Sequence, residues 1–118
     1  MILLVEDDEL VRGVVRDTLE AEGWDVTVCK NGEAALAEVE GEGRYDLIIT
    51  DYQLPGADGV ELARAVRGLK HRRGTPIIMF SASHVEAHAR AAGVNLFLRK
   101  PEDIGRLADS VSRHLDGG

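Results

Sequence analysis

Five short apolar runs punctuate the chain, at residues 2–5, 25–29, 47–51, 76–81 and 95–99. Four of them are nearly continuous in Leu, Ile, Val, Met and Phe rather than alternating with polar residues. Continuous runs of this length mark parallel strands covered on both faces. The gaps carry apolar residues at helical spacing. Leu10, Val11, Val14, Val15, Thr18 and Leu19 predict a first helix with one buried stripe. Ala34, Ala35, Leu36 and Val39 predict a second, and Leu62, Ala63, Val66 and Leu69 a third. A short alanine-rich stretch around 85–92 predicts a fourth. Ile104, Leu107, Ala108, Val111 and Leu115 predict the last, introduced by Pro101, Glu102 and Asp103, which suit a helix N-terminus. Gly23, Gly32, Gly43, Gly74 and Gly93 punctuate the connections.

Five β–α units with right-handed crossovers, covering both faces of one sheet, require one reversal of direction. The predicted architecture is therefore α/β, a flavodoxin-like doubly wound parallel sheet of five strands in the order 2-1-3-4-5, flanked by five helices. A length of 118 residues suits a single domain over 1–118.

Each of four runs ends in a polar residue. Glu6 and Asp7 follow the first, Asp51 closes the third, Ser81 closes the fourth, and Lys100 follows the fifth. In an open parallel sheet, ligands bind at the C-terminal ends of the strands, by the switch point. The order 2-1-3-4-5 makes strands one and three neighbours, so the three carboxylates converge, with Ser81 and Lys100 on the next two strands. Ionised carboxylates at one point need a bound cation or a raised pKa. Hard oxygen ligands suit Mg²⁺. Such a metal, together with Lys100, would stabilise charge on a transferring phosphoryl group. The Ser81 hydroxyl would donate to one of its oxygens, and Asp51 would be the nucleophile that forms an acyl phosphate.

Four segments carry a resemblance. They are Leu4-Val5-Glu6-Asp7-Asp8, the stretch from Asp51 through Leu54-Pro55-Gly56-Ala57-Asp58 to Gly59, Ser81-Ala82, and Lys100-Pro101. In this order, each at a strand end, they resemble the receiver domain of the response-regulator family over essentially the whole chain. The resemblance implies that Asp51 is the phosphoacceptor. It implies that Asp7 binds Mg²⁺ directly, Glu6 mostly through water, and Gln53 through its backbone carbonyl. Ser81, the backbone N–H of Ala82, and Lys100 would hold the phosphoryl oxygens, and the Lys100–Pro101 bond would be cis. Phe97 takes the place of the aromatic switch residue, without the phenol hydroxyl of the more frequent Tyr. From Ser81 to Lys100 the chain is shorter than familiar receivers by roughly one helical turn. That shortening falls on the fourth helix, part of the family's usual output face.

The remaining polar features have plainer readings. Asp8 caps the first helix, and Asp58 with Gly59 forms a turn and the N-cap of the third. His84 and His88, four apart, are solvated. The run Lys70-His71-Arg72-Arg73 is a solvated loop at the pole opposite the cleft, where Trp24 also lies. Cys29, the single cysteine, is a buried thiol, which excludes an internal disulfide and a cysteine metal cluster. The formal net charge of −7 argues against direct nucleic-acid binding through bulk charge. No membrane span or signal peptide is visible, so a cytoplasmic protein away from the membrane is expected.

These readings converge on a phosphorelay receiver. A sensor histidine kinase or phosphotransfer protein would donate to Asp51, and an output protein not named by the sequence would read the switched surface. It is not an enzyme in the usual sense, although it catalyses its own phosphorylation and dephosphorylation. The Gly117-Gly118 end suits a stand-alone receiver, or a module cut from a larger regulator or hybrid kinase. Two rivals are weaker. A haloacid-dehalogenase-like phosphatase would place its nucleophile after the first strand in an Asp-x-Asp-x-Thr pattern, which Glu6-Asp7-Asp8-Glu9-Leu10 lacks. A non-phosphorylated binding module would not need the full set of matching residues.

Overall fold

The computed structural model describes residues 1–116. The Gly117-Gly118 end, read as a terminus or linker, lies outside the described residues. Strands β1 (Ile2–Val5), β2 (Val26–Cys29), β3 (Leu47–Thr50), β4 (Ile77–Ser81) and β5 (Leu96–Arg99) alternate with helices α1 (Glu9–Ala21), α2 (Gly32–Glu40), α3 (Gly59–Gly68), α4 (Glu86–Ala91) and α5 (Leu107–Asp116). The five strands form one parallel sheet in the order β2-β1-β3-β4-β5, as the pattern requires.

Alternate residues of each strand face opposite layers. Leu3, Val5, Ile48, Ile77, Met79 and Phe97 pack with residues of α2, α3 and α4. Ile2, Leu4, Leu47, Ile49, Ile78, Phe80 and Leu98 pack with Val15 and Leu19 of α1 and Leu107 and Val111 of α5. β1, β3 and β4 are buried at every position, which explains why their sequences do not alternate.

The structure departs from the sequence reading in instructive places. β2, β4 and β5 each begin one residue later than the apolar runs, leaving Asp25, Pro76 and Asn95 outside. The Asn95 amide oxygen instead accepts from the Ile77 N–H at 2.8 Å. β3 ends at Thr50, so Asp51 sits just beyond the last ladder residue. The buried stripe of α1 is narrower than predicted. Val15 and Leu19 are buried, but Leu10 is 78% exposed and Val14 47%. Positions 10 and 14 lie about 100° around the helix from 11 and 15, past the edge of the sheet-facing side. The last helix begins with a separate 3-10 turn at Glu102–Arg106. There the Asp103 carboxylate turns back to the Arg99 N–H at 2.8 Å and to Arg106 at 3.3 Å. α4 has only six residues and no side-chain cap.

The basic run is not simply solvated. Arg72 is 3% exposed. Its guanidinium donates to the carbonyls of Val39 at 2.9 Å and Gly41 at 3.0 Å, and lies 5.1 Å from the Tyr45 ring centroid. His71 donates to the same Gly41 carbonyl at 2.9 Å. These bonds satisfy carbonyls at the C-terminal end of α2, which a helix leaves without partners. Arg67 works similarly, donating to the Gly93, Arg73 and Thr75 carbonyls and the Asn95 side chain.

Gly13 sits inside α1 with nothing within 4 Å of where a Cβ would stand. Glycine in a helix interior costs about 1 kcal/mol relative to alanine. Gly13→Ala is expected to raise the unfolding free energy by about 0.5–1 kcal/mol in urea denaturation. A loss of stability would mean that α1 needs glycine there for a contact inside the fold.

Candidate functional site

The register places the site. Val5 pairs with Thr50, so the residues that leave β1 and β3 emerge side by side at the C-terminal edge of the sheet. Glu6 and Asp7 leave β1, and Asp51 leaves β3. Carboxylate oxygens of these three lie within 4.8 Å of one another. Ser81 pairs with Arg99, so the residue after Arg99, Lys100, comes out at the same edge. The Lys100 N–H donates to the Ser81 carbonyl at 3.1 Å, and the Lys100–Pro101 peptide is cis, as the resemblance implies.

Lys100 bridges the acids. Its Nζ lies 2.6 Å from Glu6 Oε1 and 2.7 Å from Asp51 Oδ2, with the lysine side chain 15% exposed, Asp51 11% and Glu6 4%. The other oxygens are also engaged. Asp51 Oδ1 accepts from the Tyr52 N–H at 2.6 Å, and Glu6 Oε2 from the Asp8 N–H at 3.2 Å. Burial pushes the Glu6 carboxyl above the usual carboxylate range, against the pull of the Lys100 hydrogen bond. Burial also pulls the Lys100 ammonium down, but its hydrogen bonds and charge contacts with Asp51 and Glu6 win, and the net shift is upward. Asp7, by contrast, is exposed, with its carboxylate open to a ligand from solvent.

The fold explains this convergence locally. Asp8 caps α1, its side chain accepting from the Val11 N–H, and Arg12 donates back to the Glu6 carbonyl at 3.1 Å. α3 begins with a full capping box between Asp58 and Glu61. At Gly59 a Cβ would overlap the Asp51 carbonyl and come within 2.9 Å of Met79 Cε. Both sequence-level caps, Asp8 and Asp58, are therefore where the pattern placed them.

The side chains of the other candidates make no hydrogen bond to these acids among the described residues. Ser81 is fully buried, and its Oγ accepts from the Ser83 N–H at 3.1 Å. Ala82 and Gln53 are exposed. Phe97 is 6% exposed and packed in the layer under α3 and α4. The Arg99 guanidinium lies 5.7 Å from its ring centroid and donates to His84 Nδ1 at 3.3 Å. His84 is thus tied to β5 rather than simply solvated. Sequence reasoning also passed over Gly32 as anything more than a connection. The only available signal was the Asn31-Gly32 pair opening α2.

The donor set fits a hard divalent cation: two buried carboxylates and one exposed carboxylate, with oxygens close enough to share one ion. The lysine that stands between two of them is a cation already in place.

A family model described as the response regulator receiver domain matches residues 2–112. The chain belongs to that family. It is a receiver domain of two-component signalling. The transcriptional regulatory protein ResD of Bacillus subtilis is 37% identical over 103 residues, 85% of this chain but 41% of ResD. The chain thus spans less than half of that relative's length. The polar-differentiation response regulator DivK of Brucella anthropi is 31% identical over 117 residues, covering 97% of this chain and 94% of DivK. Among solved structures, the receiver domain of the sensor histidine kinase PA1611 from Pseudomonas aeruginosa has a magnesium ion coordinated in its active site cleft. It superposes with a TM-score of 0.89 at 32% identity, covering 99% of this chain and 97% of that one. The chemotaxis response regulator CheY4 of Vibrio cholerae gives a TM-score of 0.88 at 32% identity, covering 97% of each chain.

A divalent cation that used Glu6 and Asp51 would have to compete with Lys100 for them. Lys100→Ala is expected to bind Mg²⁺ about tenfold more tightly, as amide NMR titration would show, since a charge-assisted hydrogen bond is worth about 1.5 kcal/mol. Unchanged or weaker affinity would mean that the ammonium does not contest the site.

Proposed function

We propose that this receiver accepts a phosphoryl group on Asp51 from the phosphohistidine of a sensor histidine kinase or phosphotransfer protein. The observation that carries the reading is the Asp51 carboxylate, held at a strand end between two other acids and an ammonium 2.7 Å away. A carboxylate oxygen of Asp51 attacks the donor's phosphorus. The N–P bond breaks, and the imidazole leaves with its electron pair and takes up a proton. Lys100 then moves its hydrogen bond from the carboxylate to a phosphoryl oxygen. The Ser81 hydroxyl and the Ala82 N–H take up the others. The Ser81 Oγ can keep the bond it accepts from the Ser83 N–H while its own proton is donated, so a turn of this side chain toward the phosphoryl group would draw Ser83 and the start of the β4–α4 connection with it. Phe97 responds from the layer beneath. Glu6, Asp7, Asp51 and the Gln53 carbonyl would hold Mg²⁺, which screens the acids from the incoming phosphoryl group. Water later attacks the phosphorus, the P–O bond to Asp51 breaks with its electrons returning to the carboxylate, and inorganic phosphate leaves, so the receiver catalyses its own reset without turning over a separate substrate.

The unit is one receiver domain over 1–118, and an output protein reads its altered surface. No helix among the described residues is long and apolar enough to cross a membrane. The cytoplasm, where such donors present their phosphohistidines, is the compartment we assign.

The donor's docking surface follows from α1. Leu10 and Val14 stand exposed beside the cleft and, with Phe80, Pro101 and Ile104, border an apolar groove of about 210 Å³ that reaches Lys100. A helix of the donor would cover these side chains as it presents its histidine to Asp51. Leu10→Asp is expected to slow transfer from the cognate donor more than tenfold, because it places an unpaired charge where the interface would bury an apolar side chain. It should leave phosphorylation by a small-molecule phosphodonor unchanged. Equal transfer from the donor would place docking elsewhere.

Incubation with a small-molecule phosphodonor and Mg²⁺ should add one phosphoryl group by intact mass, labile to base and hydroxylamine and prevented by EDTA. Asp51→Asn should abolish it while keeping the fold, since the amide has the carboxylate's shape and one repelling charge is gone. Stoichiometric uptake by Asp51→Asn would move the acceptor to Asp7 or Glu6.

A further inference from the structure

We infer that Gly32, the first residue of α2, is a positioning residue for the loop between β3 and α3 that carries the proposed metal ligand Gln53. The inference rests on the Mg²⁺ site proposed above.

Gly32 is buried, and its N–H donates to the Pro55 carbonyl at 3.0 Å. Among the described residues, this is the one hydrogen bond that joins residues 53–57 to another part of the chain. A Cβ at Gly32 would overlap the Ala57 carbonyl oxygen and stand 2.6 Å from its carbon and 3.0 Å from its Cα. All three are backbone atoms, so no side chain can swing aside to relieve the overlap. Gly32 does not have a left-handed φ, so its own conformation does not call for glycine; the close approach of the loop does.

The contact is reciprocal. Gly56, at φ +80°, faces back toward α2, where a Cβ would stand 2.6 Å from Glu33 Oε1 and 2.9 Å from its Cγ. Two glycines, one on each side, let helix and loop interlock. Gln53 lies two residues from Asp51 and two from Pro55, so the segment that must aim its carbonyl is pinned at one end by the acceptor residue and at the other by Gly32. Asn31 holds this end of α2 in turn, its side chain accepting from the Ala34 N–H at 2.7 Å.

A Cβ at position 32 must therefore displace the loop or break its hydrogen bond. Groups that orient metal ligands typically contribute 10- to 100-fold in affinity. With Mg²⁺ alone titrated and followed by amide NMR, Gly32→Ala is expected to bind about tenfold or more weakly than wild type. In metal-free protein, hydrogen exchange should speed up at the amide of residue 32, which loses its Pro55 acceptor, and remain unchanged in β4 and β5. Leu115→Ala, at the far end of α5, serves as a control that lowers stability without touching the loop; its Mg²⁺ affinity should match wild type. Asn31→Ala, a milder change that frays the first turn of α2, should weaken Mg²⁺ in the same direction and to a smaller extent. If wild type binds no Mg²⁺, the metal reading fails and the inference falls with it. If wild type binds but Gly32→Ala binds equally well, the positioning role is overturned while the metal reading stands. If Gly32→Ala does not fold, Asn31→Ala decides, and unchanged affinity in that variant overturns the role.

Discussion

The structure turns on one ammonium set between two carboxylates. Parallel strands deliver their C-terminal residues to one edge of the sheet, and the switch point brings β1 and β3 together. This necessarily crowds Glu6 against Asp51, both largely out of water. Such crowding is unfavourable unless a cation answers it. Lys100 answers it from β5, three strands from Glu6 and two from Asp51, at 2.6 and 2.7 Å. The chain has arranged its other local structure around that requirement. Asp8 and Arg12 fix the exit of β1, Gly59 lets α3 close over the exit of β3, and the Ser81 carbonyl takes the Lys100 N–H.

Much of this was legible in the sequence, because it follows from signals with a short reach. The strand positions came from apolar runs without alternation, and those strands are buried on both faces. Their order came from handedness and the need to cover two faces. The convergence of Glu6, Asp7, Asp51 and Lys100 then followed from where each stands relative to its strand. The caps at Asp8 and Asp58 are local chemistry, read within four residues.

What was missed depends on partners distant in sequence. Nothing in Lys70-His71-Arg72-Arg73 says that Arg72 turns inward, because its acceptors are carbonyls thirty residues earlier, at the end of α2. Carbonyls leave no mark in a sequence. The same holds for His84, which meets Arg99 fifteen residues on, and for Gly32, whose need for glycine comes from the backbone at Ala57. The exposed Leu10 and Val14 were assigned to the core because periodicity alone cannot say where an apolar stripe ends. It records that apolar residues share one side of a helix. Whether a sheet or a partner covers them is set by how the helix is rotated.

The two ends of α4 are held unequally. Its C-terminal end is held firmly. Arg67 reaches from α3 to the Gly93 carbonyl with two donors, at 2.7 and 3.1 Å, and the glycine leaves space for that approach, since a Cβ would meet the arginine at 2.7 Å. Its N-terminal end has no side-chain cap, and the connection leading to it hangs on the Ser81 Oγ and on the Arg99–His84 contact. A helix of six residues contributes little stability of its own. An event that moves the Ser81 side chain would therefore act on the weak end of α4 and leave the anchored end in place. Arg99, on the same strand as Phe97, joins that connection to the buried aromatic through its contacts with His84 and the Phe97 ring. A phosphoryl group on Asp51, as proposed above, would act on that weaker end.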